Sequence, residues 1–249
     1  MNNLLAEITH CDLLESSKSG VPGPCSRIVS VQHQLALDDH QVPEPWTGKL
    51  NEARIVFISS NPSIDFDEPY PTWSDNLEST DEFFTNRFGD RPGQIRDGKY
   101  PPVKDGSWGP AVRFWSGVRQ RAFEVLPNAE PGVDYAMTEV VHCKSRNEVG
   151  VREALSTCAE RYMPRIINEA PKAQLLVVFG VHAALAMAEV FNIELDSEKR
   201  SARMTQGGVQ RTVVYLDHPA SGGKSKRFET ALSPDDLQTI RRDLANSRQ

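Results

Sequence analysis

Several things are missing from this chain of 249 residues, and each absence narrows what it can be. No apolar run approaches the ~18 residues that a membrane-spanning helix needs, so a membrane protein of that kind is not expected. The opening Met1-Asn-Asn-Leu-Leu-Ala-Glu has no basic stretch followed by an apolar one. A secretory leader is therefore not expected, and the cytoplasm is the expected compartment. A basic excess is lacking too: the formal net charge is -6. That argues against a uniform nucleic-acid coat but leaves room for a local basic face. Cysteines are few, at Cys11, Cys25, Cys143 and Cys158. In a reducing compartment they are expected as thiols, either scattered or gathered as four ligands. There is no internal repeat, no sharp composition break, and no glycine-rich phosphate loop after any predicted strand. One domain over 1–249 is expected, with an irregular segment over about 1–50 wrapped on it.

What is present is a set of short apolar runs that end in turns. Ile55 to Ile58 runs into Ser59-Ser-Asn61-Pro62-Ser63. Such a run reads as a strand buried on both faces of a parallel sheet. Pro62 keeps Asn61 out of the helical region, so its amide is held at the strand's carboxyl end, where open α/β sheets bind ligands. Further strands are predicted at Tyr135–Val141, Gln174–Phe179 and Thr212–Leu216, the last running on to His218-Pro219-Ala220-Ser221. Helices are predicted around Ser30–Leu37, from Ser79 to near Gly89, over Ala111–Leu126, over Val149–Asn168 with a kink or break at Pro164, over Val181–Phe191, and after a Ser233 cap. Residues 91–109 read as a surface excursion. Strands alternating with helices predict a three-layer α/β/α sandwich around a mostly parallel, four-stranded sheet.

Four patterns fall in order: Ser-Ser-Asn-Pro-Ser at 59–63, Thr138-Glu-Val-Val-His-Cys143, Val177-Val-Phe-Gly-Val-His-Ala-Ala184, and His-Pro-Ala-Ser at 218–221. Over residues 50–225 this order resembles the uracil-DNA glycosylase superfamily. Its first motif is a Gly-x-Asn-Pro-Gly type of turn and its last is His-Pro-Ser or His-Pro-Ala. The thermophile-type iron–sulfur branch has Thr-Asn-Val-Val-Lys-Cys between them, with another Cys about fifteen positions on. The resemblance implies a monofunctional DNA glycosylase, a monomer with DNA as its partner. Asn61 would hold the attacking water and His218 would donate to the departing base. No lysine nucleophile is evident at either motif, so strand cleavage is not expected.

The chain departs from the family in telling places. Ser59 and Ser63 stand where glycines are common, and Glu139 stands where an asparagine reads uracil. An ionised Glu139 only accepts hydrogen bonds, so it would repel uracil O4 and suit an exocyclic amine, as on a cytosine-type base. Tyr70 and Trp73 are the expected stacking partners for an everted base. Phe114 and Trp115 are expected in the core. Ser221, Lys224, Lys226 and Arg227 form an expected DNA-contacting loop, with Phe228 the nearest candidate wedge. Cys143 and Cys158 match the second pair of cluster ligands, and Cys11 with Cys25 would complete a [4Fe-4S] site, zinc being the lesser alternative. Two rival readings remain: an inactive nucleic-acid-binding module of the same fold, and a nucleotide- or phosphate-binding enzyme.

Overall fold

Largely apolar runs form the buried strands of the computed structural model, which describes residues 3–246. β1 (Ile55–Ser59), β2 (Tyr135–Glu139) and β3 (Leu175–Phe179) are buried along their whole lengths. They pair in parallel, β1 lying between β2 and β3. β4 (Ser201–Gln206) and β5 (Val209–Leu216) complete a five-stranded sheet in the order β2-β1-β3-β5-β4. β5 runs parallel to β3, and β4 is an antiparallel edge. The expected count of four strands is thus short by one. The missed strand is polar and half-exposed, so it lacks the apolar run that marks the others.

Alternation along the strands divides the core into two. Val56, Ile58, Leu176, Val178 and Val213 point to one side, where α6 (Val151–Asn168) and α7 (Val181–Phe191) cover the sheet. Ile55, Phe57, Leu175, Val177 and Val214 point to the other, under α5 (Arg113–Val125) and α9 (Pro234–Asn246). This is the α/β/α sandwich the sequence predicts. α6 runs through Pro164 rather than ending there. α4 (Leu77–Thr85) is capped by Asn76, whose side chain accepts from the Ser79 N–H, one turn earlier than expected. A short α8 (Phe228–Ala231) precedes α9.

The N-terminal segment departs most from expectation. It holds α1 (Asn3–Thr9), α2 (Asp12–Lys18) and α3 (Ser26–Val29), with a 3-10 turn at Ser30–Gln32. Leu4, Leu5, Ile8, Leu14 and Ile28 bury against the α6 side of the core. Residues 40–48 then run along the sheet edge, with Thr47 and Met137 exchanging backbone hydrogen bonds at 2.7 and 3.0 Å.

Candidate active site

Every chemical group of interest stands at the carboxyl edge of the sheet. Asn61 follows β1, Glu139 ends β2, Gly180 follows β3 and His218 follows β5. Ser59 and Glu139 are register partners, and the two chains remain zipped beyond the strands. Val140, Val141 and Ser145 donate to the carbonyls of Ser59, Ser60 and Pro62 at 2.9–3.0 Å. The loop after β2 is therefore fixed against the Asn61 turn.

Asn61 and His218 both line two adjoining cavities. One, of about 480 Å³, has Glu139, Glu44, Lys144, Arg87, Phe114 and Trp115 among its walls. The other, of about 630 Å³, is bounded by Ser60, Ser145, Glu148, His182 and Ser221. The two residues thus stand at the junction between the cavities.

Local bonding sets the polarity of both groups. The Asn61 Nδ2 donates to the Pro62 carbonyl at 2.9 Å and to Ser145 Oγ at 3.1 Å. Its donors are occupied, which leaves Oδ1 as an acceptor for water. The Ala220 N–H donates to His218 Nδ1 at 3.2 Å. Nδ1 is then the acceptor of the neutral ring, so Nε2 carries the proton. Burial pulls His218 below its ordinary value, while the charge of Glu148 opposes the shift and Lys226 assists it. A neutral imidazole with a donating Nε2–H results at pH 7.

Glu139 is buried, at 2% exposure, so it is no surface group. Burial, with Glu44 adding to it and Lys144 opposing, pushes its carboxyl well above the usual range. The shift favours the protonated form over the ionised one considered from sequence. A protonated carboxyl presents a donor and an acceptor together, as an amide does. Its Oε2 has no hydrogen-bond partner, so one atom of the group remains available.

Around it lies a buried polar cluster that sequence reasoning missed. Glu44 accepts from Thr47 at 2.7 Å and from the Tyr70 hydroxyl at 2.9 Å. Glu68 pairs with Arg87 and, at 3.6 Å, with Lys144. Burial lowers Lys144 to about 7. Neither motif carries a lysine, but Lys144, from the loop after β2, lines the smaller cavity. It does not line the larger one. Only the adjacency of Lys144 to Cys143 in sequence hinted at its burial.

Tyr70 and Trp73 are not brought to either cavity. The Lys144 ammonium lies 3.2 Å from the Tyr70 ring centroid, and Phe83 and Phe84 flank the ring. The ammonium occupies one face of the Tyr70 ring. Trp73 packs on His10, centroids 4.7 Å apart, in the N-terminal layer. The aromatic wall comes instead from Phe114 and Trp115, placed at the cavity by the first turn of α5. The 91–109 segment, expected as a surface excursion, supplies Pro101, Pro102 and Val103 to the same wall, and Pro110 follows them.

In the last loop, Ser221 lines the larger cavity, and Lys224 and Arg227 are exposed. Lys226 folds back onto the carbonyls of Pro219 and Ser221, so it braces the loop. Phe228 is fully buried and cannot act as a wedge.

The four cysteines, distant in sequence, line one closed cavity together with Ile8, Pro43 and Tyr162. All four are free and buried. Burial pushes the Cys25 thiol up to about 11 and raises those of Cys143 and Cys158 as well, with other cysteines adding to each shift. Such a gathering of four thiols fits a bound cationic centre, which would offset the cost of forming thiolates. Among the described residues, no three His, Cys, Asp or Glu side chains are grouped so as to hold a single metal ion.

No helix among the described residues is long and apolar enough to cross a membrane. No protein-family model matches this chain, and no curated protein matches it.

Proposed function

We propose that the protein is a monofunctional DNA glycosylase that hydrolyses the N-glycosidic bond of an everted pyrimidine. The observation that carries this reading is the shared position of Asn61 and His218 at the junction of two cavities. The base would enter the smaller cavity and the sugar would remain on the side of the larger one. Asn61 Oδ1 then orients the water, and the His218 Nε2–H meets the negative charge that develops on the base. Donors fixed in place before the reaction supply the largest part of such catalysis. The cost of eversion, a few kcal/mol, is least for a mismatched or unpaired base.

Glu139, with its proton, can read either the donor–acceptor edge of uracil or the reversed edge of a cytosine-type base. A modified pyrimidine is favoured over plain uracil because the cavity, at about 480 Å³, extends past a single ring toward Lys144 and Arg87. Pockets of ~300–1,000 Å³ commonly take ligands larger than a lone pyrimidine. Lys144 lies on the base side, away from the sugar, so an intact abasic site is the expected product.

Cys11, Cys25, Cys143 and Cys158 would hold a [4Fe-4S] cluster, all-cysteine ligation suiting it, with zinc the lesser alternative. When bound, the cluster supplies structural cross-linking and no redox step, because hydrolysis transfers no electrons. It would tie α2 and α3 to α6 and to the loop that follows β2.

Incubation of the purified protein with duplex and single-stranded oligonucleotides, each carrying one uracil or modified cytosine, tests the reading. Alkali-labile sites are expected at one such base, with no cleavage before alkali and no borohydride-trapped adduct. DNA binding without abasic sites on any substrate would instead support an inactive binding module.

A further inference from the structure

We propose that Glu148 is a further catalytic residue, the carboxylate that takes the proton of the attacking water; this rests on the glycosidic reading above. Asn61 can orient water but has no basic atom with which to deprotonate it. His218 is equally unable, because its Nδ1 is occupied by the Ala220 N–H. Two carboxylates line the larger cavity, Glu148 and Asp217. Asp217 is committed elsewhere: it accepts from Arg200 at 2.9 Å and from the Ser225 N–H at 2.9 Å. Glu148 stands beside the reacting groups. The hydroxyl of Ser60, the residue before Asn61, donates to its Oε1 at 2.5 Å, and His182 Nε2 lies 3.8 Å from its Oε2.

The backbone that carries Glu148 is held in an unusual shape. Asn147 and Glu148 have φ of 52° and 55°, and Gly150 follows at 78°. A left-handed glutamate is disfavoured by its Cβ, and such residues collect at functional sites. Both ends of the loop are pinned. Ser145 is bonded to Pro62 and Asn61 on one side. On the other, a Cβ at Gly150 would come within 2.3 Å of the Ile28 nitrogen, so α3 packs directly on the turn. The loop lies between Cys143 and Cys158, and α3 begins next to Cys25. A cluster at the four cysteines would therefore hold the segment that positions Glu148.

A carboxylate on a surface that meets phosphates weakens DNA binding. On the sugar side of the junction it serves a different end, because the sugar becomes positively charged as the base departs. In the step, the water oxygen bonds to C1′ while the C1′–N bond breaks and its electron pair leaves with the base. The anion is met by His218 Nε2–H. The water proton passes to Glu148, which later releases it to the base or to solvent.

The test is single-turnover base release by the full-length protein on its best substrate. Glu148→Gln keeps an acceptor for Ser60 and should slow release by about 10²–10⁴-fold, the range of general acid–base catalysis, with DNA affinity nearly unchanged. Glu148→Ala should recover part of its rate with added formate, whereas Asn61→Ala should not. A Glu148→Gln rate within about threefold of wild type overturns the assignment, as does a loss that tracks lost DNA affinity without formate rescue. Wild-type protein that releases no base from any substrate refutes the glycosidic reading itself, and the assignment with it.

Discussion

The Phe114 ring lies stacked on the His218 imidazole, with centroids 5.1 Å apart and planes 15° from parallel. One face of the histidine is thereby shielded from water, which contributes to the burial that keeps it neutral. Replacing Phe114 by Leu opens that face. The His218 pKa, followed by NMR, should rise toward its ordinary value. Base release should slow by up to about tenfold, as expected for a ring contact of ~0.5–1.5 kcal/mol. No change in either quantity would mean that the stacking is incidental.

Ser145 Oγ holds the Asn61 amide in the orientation that leaves Oδ1 free. Ser145→Ala removes one such bond, worth about 1 kcal/mol, so kcat should fall roughly fivefold. KM should stay near its wild-type value, because the base cavity is untouched. A change confined to KM would contradict this role for Ser145.

The cysteine cavity makes a spectroscopic prediction. Freshly purified protein should absorb near ~400 nm, and Cys158→Ser or exhaustive chelation should abolish the band. The thermal midpoint should drop with it, because α2 and α3 lose their tie to α6. Colourless protein that is equally stable in both forms would rule out the cluster.

His40 offers a pH test of stability. Burial lowers its pKa to about 4, although the Gln41 carbonyl accepts from Nδ1 at 2.9 Å. Between about 4 and 6.5 the unfolded chain binds a proton that the folded chain does not. Stability from this group is therefore complete above 6.5 and is lost as pH falls toward 4. The slope approaches ~1.4 kcal/mol per pH unit. Denaturant titrations at a series of pH values should show a shallower slope in His40→Gln. An identical slope would place the acid sensitivity elsewhere.

Some of this architecture was legible in the chain and some was not, for physical reasons. Asn61 and His218 announce themselves because each follows a buried strand and precedes a proline, which marks a strand end at the binding edge. β4 carries no such signal, since its SARMTQ residues face solvent on an edge. The Gly207-Gly208 turn, with φ of 60° and 76°, was the available clue to a hairpin. Tyr70 and Trp73 mislead because closeness in sequence to Asn61 does not fix direction, and their loop turns back toward Glu44 and His10. Phe114 and Trp115 lie on a helix whose spacing suits the core, yet its first turn opens on the cavity. The Glu44–Lys144–Glu139 cluster unites three distant segments, and only the folded chain reveals it.

The central claim is that Asn61 and His218 act together on one glycosidic bond. Single-turnover base release, with DNA affinity measured in parallel, tests it most directly. Asn61→Ala and His218→Ala should each slow release by about 10²–10³-fold with binding retained. The double variant should lose less than the product of the two effects, because both groups serve one transition state. Base release that persists at the wild-type rate in either variant would contradict the account.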